Sequence, residues 1–213
     1  MKEDKVELIQ SHLDMLFPSP KCELEYASVY QLLVAVILSA QCTDKRVNIV
    51  TKSLFEEYGT PEKMLTLSPE ELETKIKSCG FYRNKAKNIL AMTRDLLEKY
   101  SGEVPSSMAE LIALAGVGRK TANVVLAEGF KGDAIAVDTH VLRVSNRLGL
   151  VQTAKPDECE SVLRCLFDQG KWSKLHLQMV HFGRYICKSQ KPNCGECSLK
   201  DICVNNHKTQ YDA

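Results

Sequence analysis

The chain has 213 residues, 44% of them hydrophobic and 26% charged, with a formal net charge of +1. That is the composition of an ordinary globular chain, long enough to bury a core in one large or two small domains. The longest apolar run, 32–38, is far too short to cross a bilayer, and the first five residues, Met1-Lys2-Glu3-Asp4-Lys5, form no hydrophobic signal stretch, so a protein of the cell interior is expected.

The elements read as helices from end to end. Val6, Ile9, Leu13 and Leu16 share one helical face, which Pro18 and Pro20 terminate. Residues 30–39 are apolar nearly all round and predict a buried central helix. Thr43 or Asp44 caps the next helix, which runs through Val47, Val50 and Leu54 to Gly59, and Thr60-Pro61 opens a short turn of helix. Ser68-Pro69-Glu70-Glu71 is a capping box whose helix runs to Gly80, and the period resumes from Ala86 to Tyr100. Ser107 to Glu110 reads as a second capping box. Beyond residue 130, Asp138 caps a helix ending at Gly149, followed by helices over 156–167 and 171–186. Only 134–137 resembles a strand, and four residues without a partner make no sheet, so the class is all-α. Lys131-Gly132-Asp133 is the best candidate break between domains.

The glycine pair in Leu114-Ala115-Gly116-Val117-Gly118-Arg119-Lys120-Thr121-Ala122-Asn123 suits a tight turn opening onto a helix, because glycine reaches positive φ without steric cost. Bared N–H groups and the positive end of the helix dipole make such a turn an anion site. No strand precedes it and no second glycine pair follows, so a nucleic-acid phosphate fits better than a nucleotide fold. Lys120 falls in the first turn, where the dipole disfavours an ammonium. It either pairs with a phosphate or serves as an amine nucleophile of the Schiff-base type.

Nine cysteines, an odd number, argue against a simple disulfide framework. Cys22, Cys42, Cys79, Cys159 and Cys165 lie in helical patterns and read as small buried hydrophobes. Cys187, Cys194, Cys197 and Cys203 instead form a compact C-x6-C-x2-C-x5-C set, with Lys188, Lys191 and Lys200 between the thiols. Four reduced thiols converging in a polar loop imply a metal centre, although a single C-x2-C is not the usual zinc pattern. The surrounding stretch is basic: from Arg164 to Lys208 eight Lys/Arg stand against three Asp/Glu, a local +5. A surface of that kind suits phosphate.

Taken together, these motifs resemble the endonuclease III family of DNA glycosylases over almost the whole chain. The 114–122 segment resembles its helix-hairpin-helix, Val137-Asp138-Thr139-His140 its following acidic motif, and the cysteine spacing its [4Fe-4S] loop. Leu38-Ser39-Ala40-Gln41-Cys42-Thr43-Asp44 is similar to its Gln-bearing turn, and Gly80-Phe81-Tyr82-Arg83-Asn84-Lys85-Ala86 to its wedge loop, with Phe81 where the family more commonly has Leu. The resemblance implies a two-lobed helix-hairpin-helix glycosylase fold, with a helical barrel domain over 21–131 and an iron-sulfur cluster domain from 1–20 and 132–213.

It also implies a monomeric, cytoplasmic enzyme of base excision repair, acting on duplex DNA that contains oxidised pyrimidines or abasic sites. Lys120 would attack the sugar C1′ and form a Schiff base, with Asp138 supporting the cationic sugar and the strand then nicked by β-elimination. Gln41 would fill the space left by the extruded nucleotide and Phe81 would wedge the opposite strand. Gly116, Gly118, Arg119, Thr121, Arg184 and Lys191 would meet the DNA, chiefly its phosphates. Cys187, Cys194, Cys197 and Cys203 would bind the [4Fe-4S] cluster, and His140 stays outside the catalytic set.

Two other readings carry distinct expectations. An adenine-specific mismatch glycosylase shares fold and cluster but lacks the lyase lysine and carries a further recognition domain after the cluster. A non-catalytic helix-hairpin-helix module would use Lys120 and Asp138 only as phosphate contact and cap.

Overall fold

In the computed structural model, which describes residues 2–205, every regular element is helical. Among the described residues there are eleven α-helices, two π-helical turns and one 3₁₀ turn. The chain divides into two compact units, Cys22–Gly132 and a second built from both ends, through Lys21 and from Asp133. Lys208, the last residue of the basic stretch, lies outside the described residues.

The first unit is assembled round α2, Val29–Ser39. Ser28 caps it by accepting from the Gln31 N–H, and Tyr30 together with all of 32–38 is buried. A helix apolar on every side has no solvent face to offer, so neighbours must surround it. Those that pack on it are α3 (Asp44–Tyr58), α6 (Tyr82–Tyr100) and α8 (Arg119–Val124), the last with the π turn into which it runs, Val125–Gly129, while α4 (Pro61–Met64) and α5 (Pro69–Ile76) pack on α3 and α6, and α7 (Met108–Ala113) on α8. Thr43 and Thr60 cap α3 and α4. At α5 the capping box is complete: Ser68 Oγ accepts from Glu71 N at 3.2 Å, and Glu71 Oε2 accepts from Ser68 N at 2.8 Å. Leu33, Leu38, Leu54, Met64, Leu72, Ile76, Ile89 and Met92 fill the interior. A buried hydrogen bond between Tyr30 Oη and Thr93 Oγ1, 2.9 Å, ties α2 to α6.

The second unit packs α1 (Lys2–Leu16) against α9 (Thr139–Arg147), α10 (Pro156–Leu166) and α11 (Trp172–His181), which continues as a second π turn, Phe182–Ile186. Ile9 and Leu13 of α1 meet Val141 and Val144 of α9, Cys159 and Leu163 of α10, and Leu175 and Met179 of α11. Asp133 opens α11 from outside, its carboxylate accepting from Gly170 N and, at 3.0 Å, from Trp172 N. Residues 134–137 are buried but form no strand.

Three local expectations need correction. Ser107 is the N-cap of α7 but its side chain makes no cap hydrogen bond, so no second capping box forms. The α5 helix closes at Ile76, short of Gly80, and the chain turns through 77–80. Cys165 is exposed rather than buried: it lies two residues past the buried Leu163, a rotation of about 200° that carries it to the solvent side of α10. Cys22 and Cys42 are half-buried, and only Cys79 and Cys159 are fully interior.

Because Leu33 is wholly enclosed, Leu33→Ala should lower unfolding free energy by about 2–5 kcal/mol, read from the shift in urea midpoint.

Candidate active site

The hairpin between α7 and α8 is built on two buried anchors, Leu114 and Val117, with the Val117 N–H donating to Leu114 O at 3.2 Å. Its two glycines do different work. Gly116 has φ +77°, and an added Cβ would stand 2.8 Å from Asn88 Cβ on α6. Only glycine meets both conditions. Gly118 has φ −93°, open to any residue, and nothing lies within 4 Å of where its Cβ would be. Positive φ is thus confined to one of the pair. What Gly118 contributes is a bare N-cap: α8 begins without a side-chain cap, so the N-cap residue satisfies none of its first N–H groups. Arg119 and Lys120 are exposed there and Thr121 is half-buried.

Two further loops of the same unit expose the residues expected to enter DNA. Gln41 is exposed with φ +54°, directly after α2. Phe81, the N-cap of α6, has φ +56° and is 64% exposed. A left-handed, solvated phenylalanine cannot be a core aromatic. The loops abut, since an added Cβ on Gly80 would lie 3.6 Å from the carbonyl oxygen of Gln41. Beneath them Lys85 is buried, and its Nζ donates to Leu38 O at 2.8 Å and Ala40 O at 2.7 Å. Burial, then the neighbouring Cys42 thiol, pushes the Cys79 thiol up to about 11.

In the other unit Asp138 is the N-cap of α9, and its Oδ1 accepts from both His140 N and Val141 N at 2.8 Å. Both bonds fall on one oxygen, which leaves Oδ2 available to a ligand. His140 is occupied structurally: its Nδ1 meets Arg143 Nη2 at 3.1 Å, and its Cβ lies 2.8 Å from where a Cβ on Gly183 would be. The π turn of α11 therefore approaches α9 at a distance that only glycine permits.

The same α9 holds the cysteine loop. Arg143 Nε donates to Cys187 O at 3.2 Å and its Nη2 to Gly183 O at 2.8 Å. One turn later Arg147 donates to Cys187 Sγ at 3.4 Å, Lys188 O at 2.6 Å and Ser189 O at 3.0 Å. Cys203 Sγ returns to Arg147 O at 3.1 Å. Cys187, Cys194, Cys197 and Cys203 are all free, half-buried and ranged round one shared cavity with Pro192 and Arg147. Among the described residues no three His, Cys, Asp or Glu side chains close round a single ion.

An all-thiol donor set ringing a cavity, with an arginine N–H directed at one sulfur, fits an iron-sulfur cluster. Burial first, and then the crowding of Cys187, Cys203 and Cys194, raises the Cys197 thiol, and the positive charge of a bound metal would offset both in the thiolate. Lys191, φ +48°, is exposed in this loop, and Arg184 is half-buried in the π turn before it. His181 stacks edge-on between Phe17 and Tyr185. Sequence reasoning missed Lys85, Asn88, Arg143 and Arg147; the last two, spaced i, i+4 on one helix, left the only readable signal.

Comparison with known proteins agrees with this geometry. Residues 34–169 match the model of the HhH-GPD superfamily base excision DNA repair protein, and residues 187–203 match the iron-sulfur binding domain of endonuclease III. The chain is 47% identical over 205 residues to endonuclease III of Bacillus subtilis (strain 168), covering 96% of this chain and 94% of that one. It superposes with a TM-score of 0.95 on a non-covalent endonuclease III–DNA complex, at 46% identity over 98% of both chains. A trapped covalent endonuclease III–DNA intermediate matches equally well, again at 46% identity, 98% coverage of both chains and a TM-score of 0.95.

Two outcomes follow from the local geometry. Gly116→Ala should cost about 1–3 kcal/mol through its positive φ alone, and should weaken duplex binding in a filter or anisotropy assay, whereas Gly118→Ala should leave unfolding unchanged. Arg147→Met, which deletes the N–H directed at Cys187 Sγ, should lower metal retention about tenfold or more, measured as iron per chain after exposure to a chelator.

Proposed function

Because the chain belongs to the endonuclease III family of base excision repair proteins, a DNA glycosylase and AP lyase that carries a [4Fe-4S] cluster, we propose that Lys120 is its nucleophile and oxidised pyrimidines its substrate. The observation that carries this reading is Lys120 itself, exposed in the first turn of α8 behind an uncapped glycine hairpin.

The damaged nucleotide leaves the stack at a cost of roughly a few kcal/mol, least where the lesion already stacks poorly. Gln41 fills the space and Phe81 wedges the opposite strand; their exposure and left-handed backbone support that role. The hairpin N–H groups at Gly118, Arg119 and Thr121 receive a backbone phosphate, with Gly116 setting the turn. Arg184 and Lys191 add phosphate contacts from the cysteine-loop unit.

The lone pair of Lys120 Nζ attacks C1′, the glycosidic bond breaks, and the base departs with its electron pair and takes up a proton. The sugar ring opens to a Schiff base with Lys120. Loss of a C2′ proton then expels the 3′ phosphate, and water releases the lysine. Asp138, anchored through Oδ1, offers Oδ2 to the positive charge that develops on the sugar.

Cys187, Cys194, Cys197 and Cys203 would hold the cluster, which would staple through its thiolate ligands a loop too short to fold alone. The chain acts as a cytoplasmic monomer, with a barrel domain over 21–131 and a cluster domain from 1–20 and 132–213. No helix among the described residues is long and apolar enough to cross a membrane.

Borohydride trapping on duplex DNA containing thymine glycol tests the assignment. Wild type should give a covalent adduct that Lys120→Ala abolishes, and Asp138→Asn should slow adduct formation about 100-fold. Base release by wild type without an adduct would remove Lys120 from its role.

A further inference from the structure

A buried helix has to find partners for its last carbonyl groups. At the end of α2 the partner is a lysine side chain: Lys85 Nζ donates to Leu38 O and Ala40 O, the two carbonyls that flank Ser39 just before Gln41. Lys85 is only 5% exposed and has no ion-pair partner among the described residues. A buried ammonium without a carboxylate is costly to keep. Its two hydrogen bonds are therefore the reason for its presence. Through its main chain the same residue donates from N to Phe81 O at 3.1 Å, the first hydrogen bond of α6. One residue thus grips the backbone on both sides: the turn that ends in Gln41 by its side chain, the turn that ends in Phe81 by its amide. Both are non-glycine residues at positive φ, and such conformations persist only where their surroundings over-determine them.

We propose that Lys85 is a positioning residue for base extrusion, holding Gln41 in its left-handed, outward pose and in register with Phe81. The proposal rests on the reading of Gln41 and Phe81 as the residues that enter DNA. Lys85 touches no substrate; it acts through Gln41.

The test uses Gln41→Ala, Lys85→Met and the double variant. Each is measured in single-turnover excision of thymine glycol from duplex DNA and in borohydride trapping on single-stranded abasic DNA, which has no base to extrude and no opposite strand. Lys85→Met should slow duplex excision about 100-fold, the scale expected of an ångström-sized misplacement, while trapping on the single strand stays near wild type. The double variant should be no slower than the slower single variant, because the two residues act on one step. If Lys85→Met does not fold, Lys85→Gln replaces it: its amide nitrogen stops one bond short of the Nζ position, and the same slowing of duplex excision with near-wild-type single-strand trapping is expected.

Unchanged duplex excision in Lys85→Met, a parallel loss of trapping, or effects that multiply in the double variant would each overturn the proposal. If Gln41→Ala excises at the wild-type rate, the reading of Gln41 itself falls and takes the proposal with it. If Gln41→Ala is slow and Lys85→Met is not, only the proposal falls.

Discussion

The end of α2 is the constraint from which the side of its unit proposed to face DNA follows. A helix buried along most of its length delivers its C-terminal carbonyls into protein rather than water, and an unpaired carbonyl there would cost about 1–3 kcal/mol. Lys85 meets two of them. Because Lys85 belongs to the first turn of α6, that helix is locked in rotation against α2. One turn further along the same helix, Asn88 sits where it fixes Gly116 of the hairpin. The Gln41 turn, the Phe81 turn and the glycine hairpin thereby share a single reference, the first two turns of α6.

The other unit solves a similar problem with α9. Its N-terminus holds Asp138 through two short backbone bonds, and its far face carries Arg143 and Arg147, which grip the start of the cysteine loop. A carboxylate expected to act on the sugar and the loop expected to hold the cluster are thus registered on one short helix.

How much of this the sequence announces depends on whether the signal is local. The central helix over 30–39 and the Ser68 capping box form as read, because the stabilising groups lie within four residues of each other, although the helix that the box opens stops at Ile76. Ser107 shows the reverse: its pattern is right, yet its hydroxyl makes no cap bond. The exposed residues Gln41, Phe81 and Lys120 were legible only as parts of motifs, since nothing local distinguishes a functional side chain from a solvated one. Lys85 was illegible for a firmer reason. It sits among Arg83, Asn84, Lys87 and Asn88, polar neighbours that give no sign of which side chain turns inward, and its partners are backbone groups 47 and 45 residues away that carry no sequence signature. The two arginines of α9 were hidden in the same way, their acceptors being main-chain carbonyls of the loop.

The two π turns bear on length variation. In each, an N–H reaches back five residues, Phe130 to Val125 at 3.3 Å and Cys187 to Phe182 at 2.7 Å, so the helix carries one residue more than an α pitch requires. Removing a single residue from either turn would leave hydrogen bonding intact at the ordinary spacing, yet would rotate everything beyond it by about 100°. After Phe182 such a rotation would carry Cys187 away from the other three thiols. A deletion harmless to the helix would therefore break up the four-thiol set.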